Sequence, residues 1–136
     1  MILDTNVLVS RLLAPRSQLA EIVRRVETEC QLYASPDTLT ELESVLAKPK
    51  FAPFLSAVGQ RVFLQSYRRM VELVELPAHT QRVTACRAPD DNRFLELAVY
   101  CQADYVITGD QDLLVLSPYA GTLILTAQAF WKHYTE

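Results

Sequence analysis

Short apolar runs recur along this chain at intervals filled by stretches of helical period, and that alternation restricts the fold more than any other feature. It is the pattern of βα units feeding a mostly parallel sheet. Strands are predicted at residues 1–4, 31–34, 71–76, 105–107 and 122–125. Between them, residues 17–28 place Leu19, Ile22, Val23 and Val26 on one stripe, and Ser35-Pro36-Asp37 supplies an N-cap, a first-turn proline and an acid for a helix to about Ala47. Pro49 stops that helix, and a longer helical region is expected over residues 52–72, with Phe54, Leu55, Val58, Val62 and Phe63 at i, i+4 spacing. A further helix starts at Asp90 or Asp91 with Phe94, Leu95, Ala98 and Cys101 as its core stripe, residues 110–115 form a short helical turn, and residues 127–134 close the chain as a helix. The expected architecture is α/β, a three-layer αβα sandwich around a mostly parallel five-stranded sheet. The 136 residues, half of them hydrophobic, suit one domain over 1–136 with a single core.

The first residues run directly into the apolar Met1-Ile2-Leu3, without a basic leader, and no apolar run approaches the ~18 residues that span a bilayer. A cytoplasmic protein with no membrane partner is expected. Cys30, Cys86 and Cys101 are an odd set without Cys-x-x-Cys spacing, and read as buried, reduced thiols.

Chemistry is offered by acids. Asp4 closes the first apolar run, Asp110 follows Tyr105-Val106-Ile107-Thr108-Gly109, and Asp91 stands at a helix start. Open α/β sheets bind ligands at the carboxyl ends of strands, which is where Asp4 and Asp110 fall. Each also has a plainer reading as a helix cap. Asp90 and Asp91 together exceed what a cap requires, because the second carboxylate adds repulsion. Asp112 is the better capping candidate in its motif, leaving Asp110 to face the cleft, with Gly109 permitting a tight turn. Carboxylates gathered from such distant points repel unless a cation lies among them, so a Mg²⁺ or Mn²⁺ site is the simplest reading. Thr5 and Asn6 are placed to support Asp4 by hydrogen bonds, with Asp90, Thr108 and Asp112 as further supporting polar groups. On the helix of residues 35–47, Glu41 and Glu43 flank the apolar face on opposite sides, and periodicity does not choose between them.

A net charge of −3 argues at first against a polyanionic partner. Setting four clustered carboxylates aside from the 16 acids leaves 12 against 13 bases, so the remaining surface is near neutral. Arg11, Arg16 and Arg93 lie near the acidic motifs in sequence and are the candidates for phosphate contact.

Four motifs in this order resemble the PIN domain family of metal-dependent ribonucleases, which includes VapC-type toxins of toxin–antitoxin pairs. Leu3-Asp4-Thr5-Asn6 is similar to the family's opening motif, and Thr40-Glu41-Leu42 with Val45-Leu46 to its helical position, which selects Glu41 over Glu43. Residues 90–98, Asp-Asp-Asn-Arg-Phe-Leu-Glu-Leu-Ala, resemble the third motif with Asp91 at the metal position. Thr108-Gly109-Asp110-Gln111-Asp112-Leu113 resembles the fourth, with Asp110 as ligand or outer acid. The stretches Pro-Asp-Asp-Asn-Arg-Phe-Leu-Glu-Leu-Ala and Lys-Pro-Lys-Phe are similar to a subgroup described as toxin components. The resemblance implies strand order 3-2-1-4-5, and catalytic metal ligation by Asp4, Glu41, Asp91 and Asp110. It also implies an RNA substrate and a cognate antitoxin covering the cleft.

Other chemistries are less well supplied. A two-histidine ribonuclease would need His79 and His133, and neither adjoins a motif; no Gly-x-Ser-x-Gly elbow is present. An aspartyl phosphoacceptor domain would need an acidic pair after the first strand, where Asp4 stands alone. The alternative within the fold is an RNA- or protein-binding module with little nuclease activity. Phe51, Phe54 and Phe63 offer surface for a homodimer, against a simpler role in core packing.

Overall fold

The computed structural model describes residues 1–78, 82–87 and 89–136. Its strands are β1 (Ile2–Leu3), β2 (Leu32–Ala34), β3 (Val71–Leu73), β4 (Tyr105–Ile107) and β5 (Leu123–Leu125). Its helices are α1 (Thr5–Leu13), α2 (Gln18–Glu29), α3 (Pro36–Leu46), α4 (Ala57–Met70), α5 (Asn92–Cys101), α6 (Gln111–Leu114) and α7 (Ala127–Thr135), with 3₁₀ turns at Pro49–Phe51 and Pro89–Asp91.

The ladders between these strands are parallel. β4 lies between β1 and β5, pairing Leu3 with Ile107 and Ile107 with Leu125, while β2 pairs with β3, Leu32 opposite Val71. The two groups are joined through Met1, whose nitrogen donates to the Gln31 carbonyl at 3.0 Å and whose carbonyl accepts from the Tyr33 N–H at 2.9 Å. That straddling of Leu32 is the hydrogen-bond pattern of parallel strands, and it gives the spatial order 3-2-1-4-5. Successive strand residues face opposite layers. Leu3 and Ile107 pack with α1, α2, α3, α4 and α7 side chains such as Val23, Leu42, Phe63 and Phe130. Ile2, Val106 and Ile124 pack instead against Phe94, Leu95 and Leu97 of α5 and Leu113 of α6. Because the strands run the same way, Asp4, Ser35, Thr108 and Thr126 all emerge at one edge of the sheet.

Several expectations change. Periodicity assigns no element to residues 5–16, where a helix enters only as one that Asp4 would cap, and the structure places α1 there. The helical region of residues 52–72 is shorter than expected: residues 52–55 are turn and bend after the 3₁₀ turn of Pro49–Phe51, and α4 starts at Ala57 behind its cap Ser56, whose hydroxyl accepts from the Gly59 N–H at 3.0 Å. Its apolar spacing is only half core. Phe63 is buried at 7% exposure and Phe51 packs at the edge of the core, whereas Phe54 is 73% exposed and Val58 and Val62 are exposed beside it. β3 ends at Leu73 rather than at residue 76. Only one of the three expected buried cysteines, Cys86, is buried; Cys30 and Cys101 are free thiols and half-buried. No helix among the described residues is long and apolar enough to cross a membrane.

Candidate functional site

Asp4 leaves β1 in extended conformation, its N–H donating to the Ile107 carbonyl at 2.9 Å, so the β1–β4 ladder itself sets its position. It is buried to 3% exposure, and its Oδ2 accepts from the Thr108 hydroxyl at 2.7 Å. Thr108 Oγ1 in turn accepts from the Asp110 N–H at 3.0 Å. One threonine therefore joins two acidic motifs 104 residues apart. Although Asp4 occupies the N-cap position of α1, its side chain makes no capping bond.

Glu41 is delivered by α3, whose start is fixed by a reciprocal capping box. Ser35 Oγ accepts from the Thr38 N–H at 3.2 Å, and Thr38 Oγ1 accepts from the Ser35 N–H at 2.9 Å. Glu41 is half-buried and its Oε2 accepts from the Thr5 hydroxyl at 2.9 Å. Thr5 thus meets both acids, its hydroxyl donating to Glu41 and its backbone N–H to the Asp4 carboxylate. Asn6 is exposed and makes no side-chain hydrogen bond among the described residues, so its expected bond to Asp4 is not formed.

Asp91 ends the 3₁₀ turn before α5 with helical backbone angles and no side-chain cap, so its carboxylate is not spent on the helix. The neighbouring Asn92 is buried and brackets Cys86, its Oδ1 accepting from the Cys86 N–H at 2.8 Å and its Nδ2 donating to the Cys86 carbonyl at 3.5 Å. This anchor was overlooked in sequence, where the only signal is a polar residue followed at once by the apolar stripe of α5. Asp90 is exposed. In the fourth motif the capping roles are reversed from expectation: Asp110 is the N-cap of α6, its Oδ1 accepting from the Asp112 N–H at 2.9 Å. Its second oxygen is left for the cleft. Gly109 has no left-handed backbone, and a Cβ there would meet open space, so no tight turn demands the glycine.

The four acids lie within electrostatic reach of one another. Asp91 is pushed up to about 7, first by burial, then by a hydrogen bond its protonated form donates to Asp110, and by the charges of Asp4, Asp110 and Glu41. Asp4 is also raised, chiefly by burial and further by Glu41 and Asp110, with the Thr108 hydroxyl opposing. Such a cluster lacks positive charge. Its donors are all carboxylate oxygens, the set preferred by hard divalent cations, so the residues present fit Mg²⁺ or Mn²⁺ in type. Among the described residues, however, no three acid, histidine or cysteine side chains are already closed into a cage for an ion.

The basic candidates divide. Arg11 is committed to Glu27 by two contacts, Nε to Oε1 at 2.8 Å and Nη2 to Oε2 at 3.0 Å, and lies over the Phe63 ring; it ties α1 to α2 and is not a free phosphate contact. Arg16 and Arg93 are exposed. His79 lies outside the described residues. His133 is exposed on α7 with its ring 5.9 Å from Tyr105, at the opposite end of β4 from Thr108, too remote to act with Asp4.

No curated protein matches the sequence. The fold is similar to a chain in the crystal structure of VapBC2 from Rickettsia felis bound to a DNA fragment from their promoter, with a TM-score of 0.62, 13% identity, and 90% of this chain covering 95% of that one. A PIN domain family model matches residues 1–112, a span holding Asp4, Glu41, Asp91 and Asp110, and the chain belongs to the PIN domain family.

Proposed function

We propose that this protein is a Mg²⁺- or Mn²⁺-dependent endoribonuclease, the toxin of a type II toxin–antitoxin pair, with Asp4, Glu41, Asp91 and Asp110 as its metal-holding and catalytic residues. The observation that carries the reading is the gathering of these four carboxylates at the carboxyl edge of the sheet, where burial first, and then Asp110, Asp4 and Glu41, raise Asp91 to about 7. A divalent ion held there would lower the pKa of the attacking water and neutralise charge on the phosphoryl oxygens.

The chain's own groups do the rest. Thr108 and Thr5 fix Asp4 and Glu41 through their hydroxyls, and the Asp112 N–H fixes Asp110. Glu41 or Asp110 accepts the proton of the water as it attacks phosphorus in line, the P–O3′ bond breaks with O3′ taking a proton from solvent, and the products carry a 5′-phosphate and a 3′-hydroxyl. Arg16 and Arg93, exposed and near the motifs, meet neighbouring phosphates. Single-stranded or looped RNA is the substrate, because only unpaired strands expose bases and backbone together to such a cleft. The likeness to a VapBC2 chain supports an antitoxin partner encoded beside this protein.

Expressing wild type and Asp4→Asn in a host and sequencing RNA 5′ ends tests the reading. New 5′-phosphate ends are expected with wild type alone, and identical profiles would sink it. A second reading, a PIN-fold RNA- or protein-binding module, draws on the absence of a closed ion cage among the described residues. It predicts RNA retention without cleavage in Mn²⁺, undiminished by Asp91→Asn.

A further inference from the structure

Beside the carboxylates, and not part of them, lies a cavity of about 490 Å³, within the roughly 300–1,000 Å³ range of small-ligand sites. It is enclosed by α1, the first turns of α2 and α7, and the Thr108-Gly109 segment after β4. Thr108, which donates to Asp4 at 2.7 Å, is shared between its wall and the acidic site, so the cavity begins one side chain from Asp4.

Its lining has a definite chemistry. Val7, Ile22 and Ala127 are buried apolar floor, and Leu19 is half-buried beside them. No charged side chain lines it among the described residues, which disfavours a phosphate or carboxylate occupant. The hydroxyls of Ser17 and Thr126 are already engaged, accepting from the Ala20 and Ala129 N–H groups at 3.1 Å as helix caps. What remains at the rim is amide, with the exposed Ser10 hydroxyl beside it. Gln128 Nε2 donates to Gln18 Oε1 at 3.1 Å, joining α7 to α2 across the opening. That bond leaves the Gln18 Nε2 and Gln128 Oε1 as an adjacent donor and acceptor. The exposed Asn6 adds a third amide.

An uncharged slot with an aliphatic floor and paired amide donors and acceptors suits a planar heterocycle with its own donor–acceptor edge. We infer that this cavity receives one unstacked base of the RNA strand adjoining the scissile phosphate, with Gln18 and Gln128 reading its edge. The base lies against the Val7, Leu19 and Ile22 side chains, as extruded bases do against apolar walls. This rests on the ribonuclease reading for the course of the strand, but binding of the base does not require cleavage.

The test uses metal-free protein, so that binding and hydrolysis are read separately. Side-chain amide resonances of Gln18 and Gln128 are followed by NMR during titration with each of the four ribonucleoside 5′-monophosphates and with short single-stranded oligoribonucleotides. One base is expected to shift these resonances preferentially, with an oligonucleotide carrying that base competing for the site. The exposed double substitution Gln18→Leu and Gln128→Leu should weaken that binding roughly tenfold and level the preference while leaving the unfolding midpoint in place. Equal response to all four bases, shifts confined elsewhere, or a monophosphate site with which RNA does not compete would each overturn the inference. In 5′-end maps the double variant should cut with less base preference beside the cut. Base-selective binding by a protein that cleaves nothing would sink the nuclease reading and leave the pocket standing; cleavage with no base selectivity would do the reverse.

Discussion

Arg11 shows how far a single residue's role departs from its position in the chain. It stands seven residues from Asp4 in sequence, yet its guanidinium is closed on Glu27 of the next helix, whose side chain is 5% exposed. Removing it leaves a buried carboxylate without a partner, and Arg11→Ala should cost about 2–3 kcal/mol in chemical denaturation, less than the full penalty because the arginine keeps some solvent. Nearly unchanged stability would restore it as a free phosphate contact. The four acids were legible because strand ends and helix starts are marked locally by apolar runs, and because the family motifs select Glu41. The Glu27 partner and the Asn92 bracket on Cys86 were not, since each joins segments whose proximity only the folded chain establishes.

At the scale of elements, five strands and most helices followed from periodicity, and α1 did not. Its β-branched Thr5, Val7 and Val9 each disfavour helix by about 0.5 kcal/mol relative to alanine, and Asp4 withholds the usual cap. Burial of Val7, Leu8 and Val9, worth roughly 1.5–3 kcal/mol apiece, outweighs that several-fold, so packing makes the helix where local preference does not. α4 errs in the other direction, because spacing alone counted Phe54, Val58 and Val62 as core when they face solvent. α3 is the element in which local signals and site agree. Ser35→Ala removes one half of its capping box and should cost about 1 kcal/mol in thermal unfolding. If the capping box also holds Glu41 in place, RNA cleavage should fall further than that stability loss explains. Cleavage at the wild-type rate would show that Glu41 is positioned without it.

For the whole molecule, the crowded carboxylates predict an inverted acid response. Asp91, raised to about 7, binds its proton more tightly in the folded chain than in the unfolded one. Stability from this group is therefore full below the ordinary carboxylate range and is lost as pH rises from about 4 towards about 7. Solvent contact reduces the effect, and the ion-free protein should be less stable at pH 8 than at pH 5 by on the order of 1–2 kcal/mol, with other groups unchanged. Asp91→Asn should flatten that slope, and Mg²⁺ or Mn²⁺ should raise the melting temperature of wild type at pH 8 but not of the variant. A melting temperature that rises steadily from pH 5 to 8 and ignores both ions would remove the case for a cation here.

The Thr108 bridge also bears on time. The hydroxyl that seats Asp4 comes from a residue 104 positions later in the chain, the carbonyl beside it from Ile107, and β4 itself is flanked by β5. Contacts of such long sequence separation form late, because most of the chain must be present before they close. A folding chain accordingly lacks a seated Asp4 until β4 has joined β1, so the acidic edge is completed by the slowest kind of contact the fold contains.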